Sequence, residues 1–267
     1  MKNIALSLLL WGISNVAIAN VITFGIVPQQ SASRLAAQWT PLMAYLSEHT
    51  GEKFVFATAA NIPTFEKRLS QGDYDFAYMN PYHYVTFHQS NAYEALSKAK
   101  NRRIKGIIVA RKDANLTQLS QLNGETLAFP APAAFAASIL TRSALVTQEV
   151  TFKPDYVSSH DSVYLSVAKG FYPAGGGIVR TFNSMDESIR SQLEIIYTTD
   201  GYTPHAIAHH PRINEELAKQ VQQLLAELDQ TDEGKALLKP LSIQGFDSAK
   251  DSDWDDVRSL NIQEISQ

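Results

Sequence analysis

The sequence predicts an α/β protein of two lobes with a cleft between them. Two observations favour this class. Short β-branched or aromatic runs alternate with segments of helical spacing, and the alternation starts again after about residue 105. The chain then returns towards its first part near residue 200. Because open α/β sheets bind ligands beyond the carboxyl ends of their strands, we expect a ligand site in the cleft.

A secretory leader is predicted at the N-terminus. One lysine precedes an apolar run over residues 4–13, and Ala17 and Ala19 have the small-residue spacing of a cleavage site. The apolar run is too short to span a membrane. We therefore expect a signal peptide at residues 1–19 and an exported mature chain that begins at Asn20.

The composition narrows the possible partners. The chain has no cysteine, so it can form no disulfide and must be stabilised by its core. Its 23 basic and 27 acidic residues give a net charge of −4, which provides no bulk attraction for nucleic acid or an anionic membrane. We expect no nucleic-acid partner, a monomer, and anion binding only at a local site.

The first lobe is predicted over residues 20–104, and its longest element is a helix at Ser33–His49. Apolar residues recur there at helical spacing, and Gly51 is a stop signal. The apolar positions are Leu35, Ala36, Trp39, Leu42, Met43 and Leu46. β-branched and aromatic runs, with Pro and Gly as helix boundaries, predict the remaining elements. These are a strand from Val21, a strand at 53–59, a helix at 63–72, a strand at 74–79, a loop and helix at 80–89, and strands at 93–99 and 103–111.

The second lobe is predicted over residues 105–200, and residues 201–267 return to the first lobe and add C-terminal helices. Turn residues such as the Asn-Gly pair at 123–124 separate the elements. In order, these are a helix, turn and strand at 117–130, a helix at 133–145, a strand end and helix at 155–170, a strand at 176–181, a helix at Ser184–Arg190, strands at 193–199 and 205–210, and a helix at Asn214–Leu228.

Catalytic and metal-binding patterns are weak. There is no G-x-S-x-G motif and no cysteine nucleophile. The histidines of the mature chain are scattered, and the pair with i, i+4 spacing, His205 and His209, lies in a predicted strand, where that spacing does not form a helical metal site. We therefore expect no catalytic residues, no metal and no cofactor. Of the seven histidines in the chain, those considered as ligands are His83, His88, His160, His205, His209 and His210.

Two predicted helix starts could bind an anion. Exposed backbone N–H groups and the positive end of the helix dipole stabilise negative charge with few charged side chains. One start contributes Ala134, Phe135 and Ala136 as candidate ligand-binding residues, and the other contributes His160, Asp161 and Ser162. Ordinary N-capping is an equal alternative for Asp161 and Ser162, and His160, just before the expected cap, is the better candidate.

Three consecutive glycines, Gly175–Gly177, precede a predicted strand. They imply positive φ angles or a close approach of the backbone to another group, and a tight turn at a lobe edge is the alternative. Gly176 is a candidate ligand-binding residue. Arg180 is another candidate, although we favour its pairing with a surface carboxylate over a position in the cleft.

Aromatic and polar residues follow the strand predicted at 74–79, where it should reach the cleft. Tyr and Asn combine apolar walls with polar tips, which is typical of small-ligand sites. The candidates in this segment are Tyr78, Asn80 and Tyr82, and some of the aromatic residues must belong to the core.

Five segments carry a resemblance that spans nearly the whole mature chain: FGIVPQQSASRLAAQWTPLMAYLSEHTG, GDYDFAYMNPYHYV, LNGETLAFPAP, SSHDSVYLSVAKG and TDEGKALLKPLSIQGF. They resemble the phosphate/phosphite/phosphonate periplasmic substrate-binding proteins of ABC transporters. The resemblance implies a two-lobed type II periplasmic binding protein fold, a periplasmic location, a small-molecule ligand and a membrane partner.

The resemblance also implies an altered anion clamp. The family's Ser-Thr-Ser-Gly helix start falls on residues 134–137, which are Ala, Phe, Ala and Ala, so its hydroxyls are missing. The family's histidine falls on His160 and is present, whereas its acidic residue falls near Pro173 and is lost. Each missing hydrogen bond to a charged group costs roughly 1.5–3 kcal/mol. We therefore expect weak phosphonate binding unless Arg180, His160 or backbone amides replace the hydroxyls.

The sequence thus favours a solute-binding protein that closes its lobes on a small oxyanion or organic ligand and presents the closed form to a permease. A ligand-sensing subunit for a membrane sensor kinase or cyclase is the alternative, because a sensor tolerates an altered clamp. A periplasmic enzyme is a third hypothesis, and it requires turnover that depends on His160.

Overall fold

The computed structural model describes residues 21–262 and contains two mixed β-sheets covered by helices. The predicted signal peptide lies outside the described residues. Strands and helices alternate through the first part of the chain, as the sequence predicts. These elements are β1 (Val21–Ile26), α1 (Ala32–Thr50), β2 (Lys53–Ala57), α2 (Ile62–Ser70), β3 (Phe76–Met79), α3 (Pro81–Asn91) and β4 (Glu94–Ala99).

The second part of the chain begins at β5 (Gly106–Arg111). It contains a short π-helix at Phe135–Leu140, which continues directly into α4 (Thr141–Thr147). The other elements here are β6 (Glu125–Phe129), β7 (Phe152–Tyr156), α5 (His160–Ala168), β8 (Ala174–Ile178), α6 (Val179–Asn183), α7 (Glu187–Arg190) and β9 (Leu193–Thr198). The C-terminal elements are β10 (Ala206–His209), α8 (Glu215–Glu227), α9 (Asp232–Leu241), β11 (Phe246–Ser248) and α10 (Asp255–Arg258).

The first sheet has the strand order β11-β4-β10-β3-β1-β2. Strand β1 pairs in parallel with β2 and β3, whereas β10, which comes from the far end of the chain, inserts antiparallel between β3 and β4. Helix α1 packs Trp39 against Phe24 of β1 and Tyr78 of β3. These aromatic rings are buried, so they stabilise the sheet and helix together.

The second sheet has the order β7-β6-β8-β5-β9. Strand β6 is parallel to β7 and β8, and β5 is antiparallel to both β8 and β9. The chain passes from the first sheet to the second between β4 and β5 and returns between β9 and β10. The two connections pair at Ile104 and Tyr202, whose backbone N–H groups each donate to the other's carbonyl at 2.8 and 2.9 Å. The molecule therefore has two lobes joined by a pair of adjacent segments.

The three glycines form β8 itself, so a tight turn at a lobe edge is the wrong interpretation. None of Gly175–Gly177 has a positive φ angle. A Cβ added to Gly176 would overlap the carbonyl oxygen of Ala137, and one added to Gly177 would overlap the hydroxyl of Tyr164. The expectation of a close backbone approach is therefore confirmed. The glycines allow the π-helix and α5 to pack directly on the strand.

Some element boundaries differ from the predictions. The strand predicted at 176–181 ends at Ile178, because the hydroxyl of Tyr164 donates to the Ile178 carbonyl and accepts from its N–H, after which α6 begins. Arg180 therefore lies on a helix. The predicted helix at the start of 117–130 is a 3-10 turn at Leu119–Leu122, and the helix predicted from Ser184 begins only at Glu187. In the described part of the chain, we find no helix that is long and apolar enough to cross a membrane.

Candidate functional site

The helix start at residues 134–137, which has no hydroxyl group, is closely packed and lies at the cleft. Ala134 is the N-cap of the π-helix and provides no side-chain hydrogen bond, and Phe135 is buried in an edge-to-face contact with Tyr202, with ring centroids 5.7 Å apart. The carbonyl oxygen of Ala136 lies so close to Gly106 that a side chain at that glycine would overlap it. Glycines on β5 and β8 therefore allow the helix start to approach both strands.

A small cavity faces this helix start. Its volume is about 10 Å³, which is close to the minimum for one water molecule. Its walls include Asn80, His160 and His205, together with residues 134–137. Several of the predicted ligand-binding residues therefore surround one point between the lobes.

His160 is buried in the wall of this cavity, but it lies after the helix cap. Ser159 is the N-cap of α5 and accepts from the Ser162 N–H at 3.1 Å, so the expectation that His160 precedes the cap is wrong. The backbone N–H of His160 donates to the Gln29 carbonyl at 3.2 Å, and its Nδ1 lies 3.2 Å from the Thr181 hydroxyl. Burial, helped by the nearby charge of Arg180, lowers the pKa of His160 to about 3. The imidazole is therefore neutral at ordinary pH.

The two residues after His160 lie outside the walls of the cavity. The Ser162 hydroxyl is 2.9 Å from that of Ser159, within the first turn of α5. The carboxylate of Asp161 accepts from the Ser31 N–H at 3.4 Å, and burial raises the pKa of Asp161. Because Ser159 is the N-cap of α5, the alternative that Asp161 or Ser162 caps this helix is wrong. Ser162 instead contacts the cap residue, and Asp161 has a contact between the lobes.

Arg180 lies in the cleft, so the favoured expectation of a surface ion pair is wrong. Its guanidinium donates to the side-chain oxygen of Gln29 and lies 5.8 Å from the centroid of the Tyr78 ring. Within residues 21–262, Arg180 forms no ion pair with a carboxylate. Its charge is therefore available to a ligand that enters the cleft.

Tyr78 and His205 form the wall opposite Arg180. Their rings are stacked, with centroids 4.9 Å apart and planes at 17°. The amide nitrogen of Gln29 donates to Nε2 of His205 at 2.9 Å, which leaves the ring proton on Nδ1. Burial, followed by the charge of Arg180, lowers the pKa of His205 well below its usual value. A neutral histidine pair, His160 and His205, therefore lines the cleft.

The other residues predicted after β3 have structural contacts. Asn80 caps α3 by accepting from the His83 N–H at 2.8 Å, and its amide donates across the cleft to the Ala133 carbonyl at 3.1 Å. Tyr82 is buried within α3, and Gly176 packs against Phe129 and the π-helix. Neither Tyr82 nor Gly176 lies in the walls of the small cavity.

Sequence reasoning missed Gln29 as a site residue and considered His205 only as a metal ligand. Gln29 follows β1 at its carboxyl end, where the topology rule for α/β sheets places ligand sites, so this position was a usable signal. His205 immediately precedes β10, and its role depends on that strand inserting beside β3, which no local pattern reveals. In the described part of the chain, no group of three metal-ligating side chains could hold an ion.

A second, larger cavity adjoins the first on the side of the connecting segments. It has a volume of about 310 Å³, within the range of small-molecule sites. Ile104, Ile178 and His205 belong to the walls of both cavities. The larger cavity, called the hinge chamber below, is lined by Tyr78, Ala99, Arg102, Arg103, Ile104, Lys105, Ile178, Val179, Arg180, Asn183, Pro204, His205, Ser242 and Ile243.

Comparison with known proteins identifies one family. The family model described as "ABC transporter, phosphonate, periplasmic substrate-binding protein" matches residues 24–254. A phosphate-import protein, PhnD, from Mycolicibacterium smegmatis is 22% identical, and the match covers 77% of this chain and 71% of that protein.

Solved structures show the same fold. A binding-protein component of a phosphonate ABC transporter from Pseudomonas aeruginosa has a TM-score of 0.84 at 16% identity, covering 91% of this chain and 86% of that one. PhnD1 from Prochlorococcus marinus, in complex with methylphosphonate, has a TM-score of 0.83 at 18% identity, covering 91% and 98%. A histidine kinase sensor domain with similarity to periplasmic binding proteins has a TM-score of 0.59 at 14% identity, covering 85% and 98%.

Proposed function

The chain belongs to the phosphonate family of periplasmic substrate-binding proteins of ABC transporters, and we propose that its ligand is a small anion held at Arg180 between the two lobes. Proteins of this class bind a small solute and act with a membrane permease. The family match supports this importer function over the sensor alternative. It does not favour the enzyme hypothesis, and we propose that the protein has no catalytic activity.

The position of Arg180 carries this proposal. The guanidinium is half-buried and reaches across the cleft to Gln29, yet in residues 21–262 it has no carboxylate partner. A partly buried charge without a counter-ion is costly, and charge-assisted hydrogen bonds to an anion would offset that cost. The planar guanidinium can also hold an oxyanion through two parallel N–H groups. An anionic ligand therefore complements the cleft better than a neutral or cationic one.

The chemistry of the relatives suggests which anion this is. One relative is named as a phosphate-import protein and another was solved with methylphosphonate. We therefore propose a phosphorus oxyanion for this chain. The helix start at residues 134–137 would contribute only backbone N–H groups, because it has no hydroxyl, so Arg180 would supply most of the electrostatic stabilisation.

Contacts across the cleft support a closing mechanism. The amide of Gln30 donates to the Ser184 hydroxyl at 2.6 Å, and the guanidinium of Arg34 donates to the Ser184 carbonyl at 2.7 Å. These pairs join the start of α1 to the end of α6 when the lobes are together. A ligand that binds both lobes would favour this state over an open one, with the connecting segments at Ile104 and Tyr202 as the hinge.

The organisation of the chain follows from the same proposal. We propose that residues 20–104 and 201–267 form one lobe and that residues 105–200 form the other. We also propose that the protein acts as a monomer and has no nucleic-acid partner. Removal of residues 1–19 on export would deliver the mature chain to the periplasm. The remaining predicted candidates, Tyr82 and Gly176, would support the site through packing.

The experiment is isothermal titration calorimetry on the mature protein with methylphosphonate and with inorganic phosphate. We expect saturable binding of at least one of them, and we expect Arg180→Gln to weaken it by roughly tenfold or more, as for a lost hydrogen bond to a charged group. The matched control is Arg190→Gln, because Arg190 is in the same lobe and, among the described residues, forms its ion pair with Glu187 of its own helix. Equal losses in both variants would contradict the proposal.

A further inference from the structure

The hinge chamber combines an apolar surface with positive charge. Ile104, Ile178, Pro204 and Ile243 contribute apolar wall, and the ring of Tyr78 adds an aromatic face. No aspartate or glutamate is among its lining residues. A cavity with this composition suits a molecule that has both an apolar body and a negative charge.

Four cationic side chains line the chamber, and within residues 21–262 only one of them has a carboxylate partner. Arg103 lies 2.8 Å from Asp256, which balances its charge. Arg102 donates to the Ser242 carbonyl at 2.8 Å. In the part of the chain that the structure describes, no ion pair involves Arg102, Lys105 or Arg180. Their combined field makes the chamber attractive to anions.

The two cavities differ in what they can contain. The small cavity at the helix start has room for about one water molecule, whereas the hinge chamber has about 310 Å³. His205 and Ile178 line both cavities. Arg180 lines the chamber, and its guanidinium donates to Gln29, which lines the small cavity. A ligand whose anionic group binds Arg180 would therefore have its remaining atoms directed into the chamber.

We infer that the hinge chamber is the subsite for the organic part of the ligand, and that the ligand is an organic anion with an apolar body larger than a methyl group. Arg180 would hold the anionic group, Lys105 would add long-range attraction, and the apolar body would lie against Ile104, Pro204 and Ile243. This inference rests on the proposed function, because it describes the same cleft. It adds a size and polarity preference to the charge preference.

The test compares three probes by calorimetry: phenylphosphonate, methylphosphonate and uncharged benzyl alcohol. We expect phenylphosphonate to bind at least about tenfold more tightly than methylphosphonate, because its ring would bury apolar surface in the chamber. Benzyl alcohol should bind at least about a hundredfold more weakly than phenylphosphonate, because it cannot pair with Arg180.

Two variants locate the site. Val179→Trp introduces a large side chain at the half-exposed chamber wall, and it should weaken phenylphosphonate binding at least about fivefold more than it weakens methylphosphonate binding. Lys105→Glu should weaken phenylphosphonate binding, whereas the control Lys153→Glu, at another exposed lysine on edge strand β7, should not. Circular dichroism would establish that each variant is folded.

The outcomes separate the two proposals. If methylphosphonate binds and phenylphosphonate binds no more tightly, the proposed function stands and the chamber inference is wrong. Identical effects of Lys105→Glu and Lys153→Glu, or full phenylphosphonate affinity in Val179→Trp, would also overturn the inference. If neither phosphonate nor inorganic phosphate binds, the proposed function fails together with it.

Discussion

The guanidinium carbon of Arg180 lies 5.8 Å from the centroid of the Tyr78 ring, one residue from each side of the cleft. The ring face attracts the cation and keeps the side chain extended towards Gln29. Tyr78 is in turn packed between Trp39 and His205. The arginine is therefore positioned by an aromatic stack that is part of the core of the first lobe.

Replacing Tyr78 should test whether its ring positions the Arg180 guanidinium, because the charge of Arg180 itself is kept. Tyr78→Leu removes the ring, and we expect affinity for methylphosphonate to fall roughly twofold to fivefold, in line with a cation–π contribution of about 0.5–1 kcal/mol. Tyr78→Phe keeps the ring and should bind normally in the same calorimetric titration. A loss of affinity in Tyr78→Phe would indicate that the hydroxyl, not the ring, contributes to the site.

Restoring hydroxyls to the helix start should strengthen anion binding. The double variant Ala134→Ser with Ala136→Ser would add two donors beside the backbone N–H groups of residues 135–137. We expect affinity for methylphosphonate to rise about tenfold or more, because one hydrogen bond to a charged group contributes roughly 1.5–3 kcal/mol. The control is Ala144→Ser, on α4 and away from the cleft. No gain would show that the site has been rebuilt around other groups.

The buried histidines make the stability depend on pH. His160 has a pKa of about 3 in the folded protein, against 6.5 when exposed. Between these values the unfolded chain takes up a proton that the folded chain does not, so the free energy of unfolding falls as the pH is lowered from 6.5 towards 3. His205 contributes in the same direction.

This pH dependence can be measured by urea unfolding at a series of pH values. Each histidine should contribute a slope of up to about 1.4 kcal/mol per pH unit. His160→Gln should make the curve flatter below pH 6.5, even if it lowers stability throughout. An unchanged slope in His160→Gln would contradict the assignment of a neutral, buried imidazole.

The glycine strand should be intolerant of any side chain. Gly176→Ala would place a methyl group on the carbonyl oxygen of Ala137, and we expect a loss of stability of about 3 kcal/mol. The comparison variant is Gly124→Ala, which has open space around it and a φ of +81°, so it should cost only about 1 kcal/mol of backbone strain. Chemical denaturation would rank the two, and equal losses would mean that the π-helix does not pack on β8.

Much of the fold could be predicted from local patterns. The apolar spacing of Ser33–His49 predicts α1, which the structure places at Ala32–Thr50, ending at the expected Gly51. The three glycines predicted either positive φ angles or a close backbone approach, with a tight turn as the alternative, and the structure has the close approach. The alternation of strands and helices, repeated after residue 105, predicted two lobes. This could be predicted because the spacing of apolar residues along a short segment indicates whether that segment forms a helix or a strand.

The composition of the site was decided by the tertiary structure. Arg180 and Gln29 are 151 positions apart and meet only because the lobes come together. His205 reaches Tyr78 because β10 inserts beside β3, an arrangement that no local pattern specifies. The hinge chamber likewise combines residues from both connecting segments with α6. The sequence determined which segments form strands and helices, whereas contacts between distant segments determined which charges are left without a partner, and therefore what the cleft can bind.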